Sequence, residues 1–147
     1  MYILLFLLLI LLVALYYFLK HKKAKNTKSE IKERKYALSD YELNILGAIN
    51  AYRSKKNLHL LEISEFVSSI CFDHNVIMSA DGVTSHNGFT QRSEEIIKYL
   101  NAKTVAENVA FGFISEDGLL NAWLNSPTHK KNIEGDYSGF GISAVGE

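Results

Sequence analysis

The chain has 147 residues, enough for one domain of ordinary size with short additional segments. Its net charge of zero hides an asymmetry: residues 20–35 hold eight Lys/Arg and two Glu (+6), whereas residues 36–147 hold eight Lys/Arg and fourteen Asp/Glu (−6). The acidic part argues against nucleic acid as a partner, because phosphate binding requires clustered Lys and Arg. A single cysteine, Cys71, excludes an internal disulfide.

The N-terminal segment, residues 2–19, contains no charged residue and no Gly, Pro, Asn or Ser. As a helix it would be about 27 Å long, close to the ~30 Å thickness of a bilayer's hydrocarbon core. A cleaved signal peptide is the alternative, but no basic residue precedes the apolar run and no small-x-small cleavage site follows it. The segment is predicted to be an uncleaved, single-pass transmembrane anchor, residues 1–19.

Residues 20–38 are predicted to be a basic tether, because Lys, Asn, Thr, Ser and Glu dominate there and cannot form a core. The positive-inside rule would keep this flank in the cytoplasm. A folded domain is predicted to occupy residues 39–147.

Four helices are predicted in this domain. The first begins at a capping box, Ser39 to Glu42, and extends to about Lys56. The second carries an apolar stripe at helical spacing and ends at the turn Asp81–Gly82. The stripe consists of Ile63, Phe66, Val67, Ile70, Cys71, His74, Ile77 and Met78.

The remaining elements are shorter. A third helix is predicted over residues 91–100, and a fourth over residues 116–125, capped by Ser115 and closed by Pro127. Short apolar runs at residues 105–113 and 140–145 predict strands. Helices packed on a small sheet indicate an α+β fold.

One carboxylate stands out among the polar residues that interrupt the apolar pattern. Glu107 lies between Ala106 and Asn108-Val109 in a segment expected to be buried, so it should find a donor or a cation. His86 and His129 are the natural candidates, as hydrogen-bonding partners or as co-ligands of a metal. A purely structural, hydrogen-bonded Glu107 is equally compatible with the composition.

Other chemistry-bearing residues are interpreted as structural. Cys71 and His74 lie on the apolar stripe, and no neighbouring Lys, Arg or metal-ligand spacing activates the thiol. Trp123 shares a helical stripe with Leu119 and Leu120, which predicts core packing. The chain contains no nucleophile elbow, P-loop, dinucleotide fingerprint or zincin motif.

Together, the polar clusters resemble the bacterial branch of the CAP superfamily (cysteine-rich secretory proteins, antigen 5 and pathogenesis-related 1), with an SCP-type, PR-1-like domain over residues 40–147. The matching segments are Ile49-Asn50-x-x-Arg53, Met78, His86-x-x-Phe89-x-x-Arg92, Ala106-Glu107-Asn108-Val109-Ala110-x-Gly112, Trp123-x-x-Ser126-x-x-His129-x-x-Asn132-Ile133 and Gly139-x-Gly141.

This resemblance implies a three-layer α-β-α sandwich with an antiparallel sheet and a central cleft. In many members two His and two acidic residues of the cleft can bind a divalent cation. His86 matches the first family His, Glu107 matches the Glu of the A-E-N motif, and Ser126 replaces a second Glu. His129 fits the bacterial variant. The predicted cleft contains His86, Glu107, His129, Ser126 and Asn108, and His86, His129 and Glu107 are the candidate ligands of a cation such as Zn²⁺.

The resemblance also bears on the end of the chain. Family domains close with one more strand, whereas this sequence stops at Gly146-Glu147. The expectation is therefore either a fragment or a sheet that lacks its last strand.

Functionally, the resemblance implies a surface module, and the leading hypothesis is a membrane-anchored, extracytoplasmic binding module. Its expected partners are the membrane, a lipid or sterol, or a protein, and its cleft could take a divalent cation. A metal-dependent hydrolase and a purely structural interaction domain are the alternatives. No reactive Ser–His pair and no certain set of three metal ligands is present, which favours binding over catalysis. The family resemblance implies that the domain lies outside the cell, whereas the positive-inside rule would keep it in the cytoplasm. The outside location is favoured, because the charge rule is a bias with known exceptions.

Overall fold

The computed structural model describes residues 15–20, 22 and 36–146. Residues 15–20 are helical, and no helix within the described parts of the chain is long and apolar enough to cross a membrane. Most of the predicted anchor and most of the predicted tether lie outside the described residues. A separate compact unit begins at Tyr36.

Five helices and two short strands make up the described part of this unit, in an α+β arrangement. In chain order they are α1 (Asp40–Lys55), β1 (Glu62–Ile63), α2 (Glu65–Asp81), α3 (Phe89–Leu100), α4 (Glu116–Asn125), α5 (Pro127–Ile133) and β2 (Gly139–Phe140). The four predicted helices are all present, and α4 has the predicted bounds.

Local signals account for the helix ends. The predicted capping box starts α1: the Ser39 hydroxyl accepts from the Glu42 N–H, and the Glu42 carboxylate accepts from the Ser39 N–H. Ser115 caps α4 through its hydroxyl, which accepts from the backbone of Gly118. The second helix ends at Gly82, whose φ of 64° is in the left-handed region that glycine adopts without strain.

One prediction about residues 105–134 was wrong, and another was incomplete. Residues 105–113 form no strand. At Glu107 the backbone carbonyl oxygen accepts from a side chain, Asn132 Nδ2, at 3.1 Å. Pro127 does not merely close α4. It is the first residue of α5, where its missing N–H and fixed φ suit the start of a helix.

The sheet of the described residues is a parallel pair, so the expected antiparallel sheet is wrong for this part of the chain. Glu62 lies opposite Gly139 and Ile63 opposite Phe140. The Glu62 N–H donates to Ser138 O at 2.8 Å, and the Ser64 N–H donates to Phe140 O at 2.7 Å. A parallel pair needs a long crossover connection, and here α2 to α5 supply it.

The core lies between the sheet and helices α1, α4 and α5. Its buried apolar members are Ile45, Ile49, Leu61, Leu119, Trp123, Ile133 and Ile142. The predicted core role of Trp123 is thereby confirmed. On α2 the predicted stripe is only partly buried, since Phe66, Ile70 and His74 face inward while Ile77 is exposed.

Two polar side chains of α1 organise the backbone around this core. The Asn50 amide pairs with both backbone groups of Leu61, at 3.0 and 2.8 Å. The guanidinium of Arg53, which is fully buried, donates to four carbonyl oxygens. These acceptors belong to His59, Ile133, Gly135 and Tyr137, at 2.6 to 3.2 Å. The Asn50-x-x-Arg53 segment is therefore structural: it holds β1 and the connection from α5 to β2.

Glu42 has a similar role at the start of the domain. Its buried carboxylate accepts from the Tyr36 hydroxyl at 2.6 Å, from Ser39 N at 2.7 Å and from Ala144 N at 2.7 Å. The contact with Ala144 joins the first helix to residues 102 positions later in the chain. Glu42 thus ties both ends of the described domain together.

Candidate functional site

A polar cluster surrounds the Glu107 carboxylate, and we call it the Glu107 cluster: His86, Arg92, Glu107, Asn108 and Asn132. Glu107 Oε1 accepts from His86 Nδ1 and from Arg92 Nη2, both at 2.8 Å. Glu107 Oε2 accepts from Arg92 Nε at 3.0 Å and from Arg92 Nη2 at 2.8 Å. The carboxylate that the sequence singled out is therefore paired with one histidine and one arginine.

The start of α3 presents both partners of Glu107. His86 lies in the turn before the helix, and its carbonyl oxygen accepts from the Phe89 N–H at 3.0 Å. Arg92 lies near the N-terminal end of α3, and its side chain folds back so that Nη1 donates to Asn87 O at 2.7 Å. Gly88, with φ of 73°, is in the left-handed region that glycine adopts without strain, and a Cβ atom there would lie 3.2 Å from Arg92 Nη1.

Asparagine side chains connect Glu107 to α5. Asn132 Nδ2 donates to the Asn108 side-chain oxygen at 2.9 Å, in addition to the Glu107 carbonyl. Asn108 Nδ2 in turn donates to the carbonyl oxygen of His129 at 3.2 Å. His129 therefore joins the network through its backbone.

Ser126 connects the two C-terminal helices of the described domain. It ends α4 and begins α5, its N–H donates to Trp123 O at 3.1 Å, and its carbonyl oxygen accepts from Lys130 N at 2.9 Å. These contacts involve the backbone of Ser126. Its placement in the cleft stays a prediction.

The chemistry of Glu107 determines the hydrogen-bonding state of His86. A carboxylate held by a two-pronged arginine contact accepts hydrogen bonds and has no proton to donate, so Nδ1 of His86 is the donor. In the neutral imidazole, the other ring nitrogen, Nε2, then carries a lone pair. The His86 side chain is 52% exposed, against 19% for Glu107 and 14% for Arg92. When the imidazole is neutral, His86 therefore offers Nε2 as a hydrogen-bond acceptor on a half-exposed side chain, whereas the Arg92–Glu107 ion pair is largely shielded from water.

Cys71 does not supply a nucleophile to this region. Burial, reinforced by the charge of Glu107 and opposed by that of Arg92, raises the pKa of the Cys71 thiol to about 12. The thiol is therefore protonated near neutral pH, as the sequence interpretation required.

The predicted metal ligands do not fit a divalent cation well. The described residues contain no group of three His, Cys, Asp or Glu side chains that could hold a metal ion. Both oxygens of Glu107 already accept from Arg92. Zinc binding by His86, His129 and Glu107 stays a prediction that this geometry does not favour.

Two members of the cluster, Arg92 and Asn132, were not among the predicted site residues. Both occur in the segments that carry the family resemblance, and a buried carboxylate calls for a cation as much as for a histidine. Three arginines occur in the sequence, at positions 34, 53 and 92. Nothing in their local sequence distinguishes the partner of Glu107, because residues 92 and 107 meet only through the tertiary fold.

Comparison with known proteins identifies the family to which the chain belongs. The profile of the cysteine-rich secretory protein (CAP) family matches residues 46–147. The chain belongs to this family, and the resemblance inferred from the sequence is confirmed.

Its relatives include two proteins of Bacillus subtilis (strain 168). The chain is 31% identical to the uncharacterized protein YkwD over 66% of its own length and 39% of that protein. It is 27% identical to the uncharacterized membrane protein YlbC over 69% of its length and 30% of that protein. An uncharacterized protein of Borreliella burgdorferi (strain ATCC 35210 / DSM 4680 / CIP 102532 / B31) is 29% identical, with 60% of this chain and 58% of that protein covered. The match thus spans less than two thirds of each of these relatives.

A solved structure supports the fold. An outer surface protein from Borrelia burgdorferi superposes with a TM-score of 0.53 and 26% sequence identity, covering 63% of this chain and 70% of that one. The chain therefore shares its fold with that protein over the superposed 63% of its length.

Proposed function

We propose that this chain is a membrane-anchored, extracytoplasmic binding module, built on the three-layer α-β-α arrangement of its family, and that the exposed edge of the Glu107 cluster binds the ligand. The observation that carries the proposal is the 2.8 Å hydrogen bond between His86 Nδ1 and Glu107, which in the neutral imidazole leaves Nε2 as an acceptor on a side chain that is 52% exposed. Such an acceptor recognises a ligand that donates a hydrogen bond, such as a hydroxyl group.

Exposed apolar side chains that follow Asn108 closely in the chain support an amphiphilic ligand. Phe111 is 87% exposed and Ile114 is 98% exposed, and they follow Asn108 by three and six residues. Exposed apolar groups of this size are costly in water unless a partner covers them. A lipid alcohol, with a hydroxyl group for His86 and a hydrocarbon body for Phe111 and Ile114, satisfies both features.

Binding of a fluorescent cholesterol analogue tests this proposal. We expect saturable binding that His86→Ala weakens up to about tenfold, the worth of one hydrogen bond. Phe111→Ser should weaken it by a similar factor through lost apolar contact. Leu60→Ser removes another exposed apolar side chain, far along the chain from the cluster, and serves as the matched control. No saturable binding, or equal affinity of all four proteins, would refute the proposal.

Membrane attachment and sidedness rest on the apolar run of residues 2–19 and on the printed names of relatives, a membrane protein and an outer surface protein. The full chain is expected to sediment with membranes and to resist carbonate extraction. Protease added to intact cells should degrade the domain. A chain recovered intact in the soluble fraction contradicts the anchor, and a domain degraded only after lysis contradicts the outside location.

A further inference from the structure

The hydrogen-bonding capacity of Glu107 is filled by groups of the chain itself. Each carboxylate oxygen accepts two hydrogen bonds: Oε1 from His86 Nδ1 and Arg92 Nη2, and Oε2 from Arg92 Nε and Nη2. A carboxylate offers about four acceptor positions. A cation that bound Glu107 would therefore have to displace a donor that is already in place.

Charge adds to this obstacle. The Arg92 guanidinium is 14% exposed and is fixed from its other end by Asn87 O at 2.7 Å. It also lies near the N-terminal end of α3, where the helix dipole adds a further positive contribution. A divalent cation at Glu107 would face the guanidinium at close range, with the same sign of charge.

The cluster nevertheless contains two side chains, His86 and Glu107, of types that bind divalent cations. His86 and Glu107 are 2.8 Å apart, and imidazole and carboxylate are both ligands of Zn²⁺ and Co²⁺. What distinguishes the cluster from a metal site is the permanent cation supplied by residue 92.

We infer that Arg92 is the specificity-determining residue of the Glu107 cluster: its guanidinium occupies both carboxylate oxygens of Glu107 and keeps a divalent cation from coordinating Glu107 together with His86. Removing the guanidinium converts the pair into a divalent cation site. The inference goes beyond the proposed lipid binding and does not depend on it.

Substitution of Arg92 provides the test. Arg92→Met keeps a long unbranched side chain but removes the charge and all donors, whereas Arg92→Lys keeps the charge and serves as the matched control. The full-length chain in detergent micelles is titrated with Co²⁺ at about pH 7.5, with binding followed by the visible absorption of the ion, and then with Zn²⁺ by calorimetry.

The expected result is at least about tenfold tighter Co²⁺ and Zn²⁺ binding by Arg92→Met than by the wild type or Arg92→Lys. Adding His86→Ala to Arg92→Met should return the affinity to the wild-type level. Because neither ion is a lipid, a negative metal titration does not contradict the proposed lipid binding. A negative lipid-binding assay likewise does not contradict the inference about Arg92.

Three results would overturn the inference. One is wild-type binding that depends on His86 and equals that of Arg92→Met. Another is an Arg92→Met protein with wild-type far-ultraviolet circular dichroism and no gain in His86-dependent binding. The third needs no variant of Arg92: Zn²⁺ binding by the wild type that Glu107→Gln abolishes, because it would show that the cation reaches Glu107 despite the guanidinium.

Discussion

Substituting Glu107 measures how much the cluster contributes to stability. Glu107→Ala removes the acceptor of three donor groups: Arg92 Nε, Arg92 Nη2 and His86 Nδ1. A hydrogen bond to a charged group contributes roughly 1.5–3 kcal/mol when it is buried. Here water can replace part of each contact, because the side chains of His86 and Glu107 are 52% and 19% exposed. We therefore expect Glu107→Ala to lower the free energy of unfolding by about 1–3 kcal/mol.

Glu107→Gln should cost less, since it keeps the shape of the side chain and one acceptor oxygen. A double-mutant cycle with Arg92→Ala isolates the ion pair from the other contacts. Exposed ion pairs couple by about 0.2–1 kcal/mol. The two-pronged, largely shielded contact of Arg92 with Glu107 should couple by about 1–2 kcal/mol.

Urea denaturation of residues 36–147, followed by circular dichroism, provides the free energies. Glu94→Ala, an exposed carboxylate on the same helix as Arg92, is the matched control and should change the free energy of unfolding by less than about 0.5 kcal/mol. If Glu107→Ala and Glu107→Gln both unfold like the wild type, Glu107 is solvated and the reasoning about the cluster is wrong. A coupling energy below about 0.2 kcal/mol would refute the ion-pair argument alone.

Two further predictions concern the buried polar residues of α1. Burial alone would raise the pKa of Glu42, but hydrogen bonds from Tyr36, Ser39 and Ala144 lower it below its ordinary value of 4.5. Its stabilising contribution is therefore complete above 4.5 and is lost as pH falls through the lower folded-state value. Glu42→Gln should reduce the loss of stability on acidification in urea denaturation, and an unchanged pH dependence would contradict this. Arg53→Lys should lower the free energy of unfolding by about 2–4 kcal/mol, because one ammonium group cannot reach the four carbonyl oxygens that Arg53 binds. A variant as stable as the wild type would contradict this, since it would show that water replaces the lost guanidinium donors.

Short-range signals in the sequence were sufficient for most helices. The capping box at Ser39 and the caps and turns around α2 and α4 involve residues within four positions of one another. They can therefore be identified from the sequence alone. The start of α3 was predicted two residues late, at 91, because Gly88 precedes it without a side-chain cap. α5 was missed because Pro127 marks both the end of one helix and the first position of another.

Strands were harder to predict, for a physical reason. A strand exists only where another strand supplies its hydrogen-bond partners, and the residues of an apolar run do not show whether such a partner is present. Gly139 and Phe140 pair with β1, whereas the backbone at Glu107 is bound by an asparagine side chain. The parallel direction of the pair also depends on the crossover of the helices between its strands.

The sequence by itself determined the family and four of the five helices of the described domain, because these follow from motif spacing and local signals. It also predicted that Glu107 needs a partner, from the cost of burying a carboxylate. Only the tertiary structure decided which partner neutralises Glu107. Arg92 is fifteen residues away and on another segment, and its guanidinium reaches the carboxylate because α3 begins in a glycine turn beside it. Electrostatic pairing depends on distance in space. The sequence shows which charged residues are present, but only the fold shows which of them lie close enough to pair.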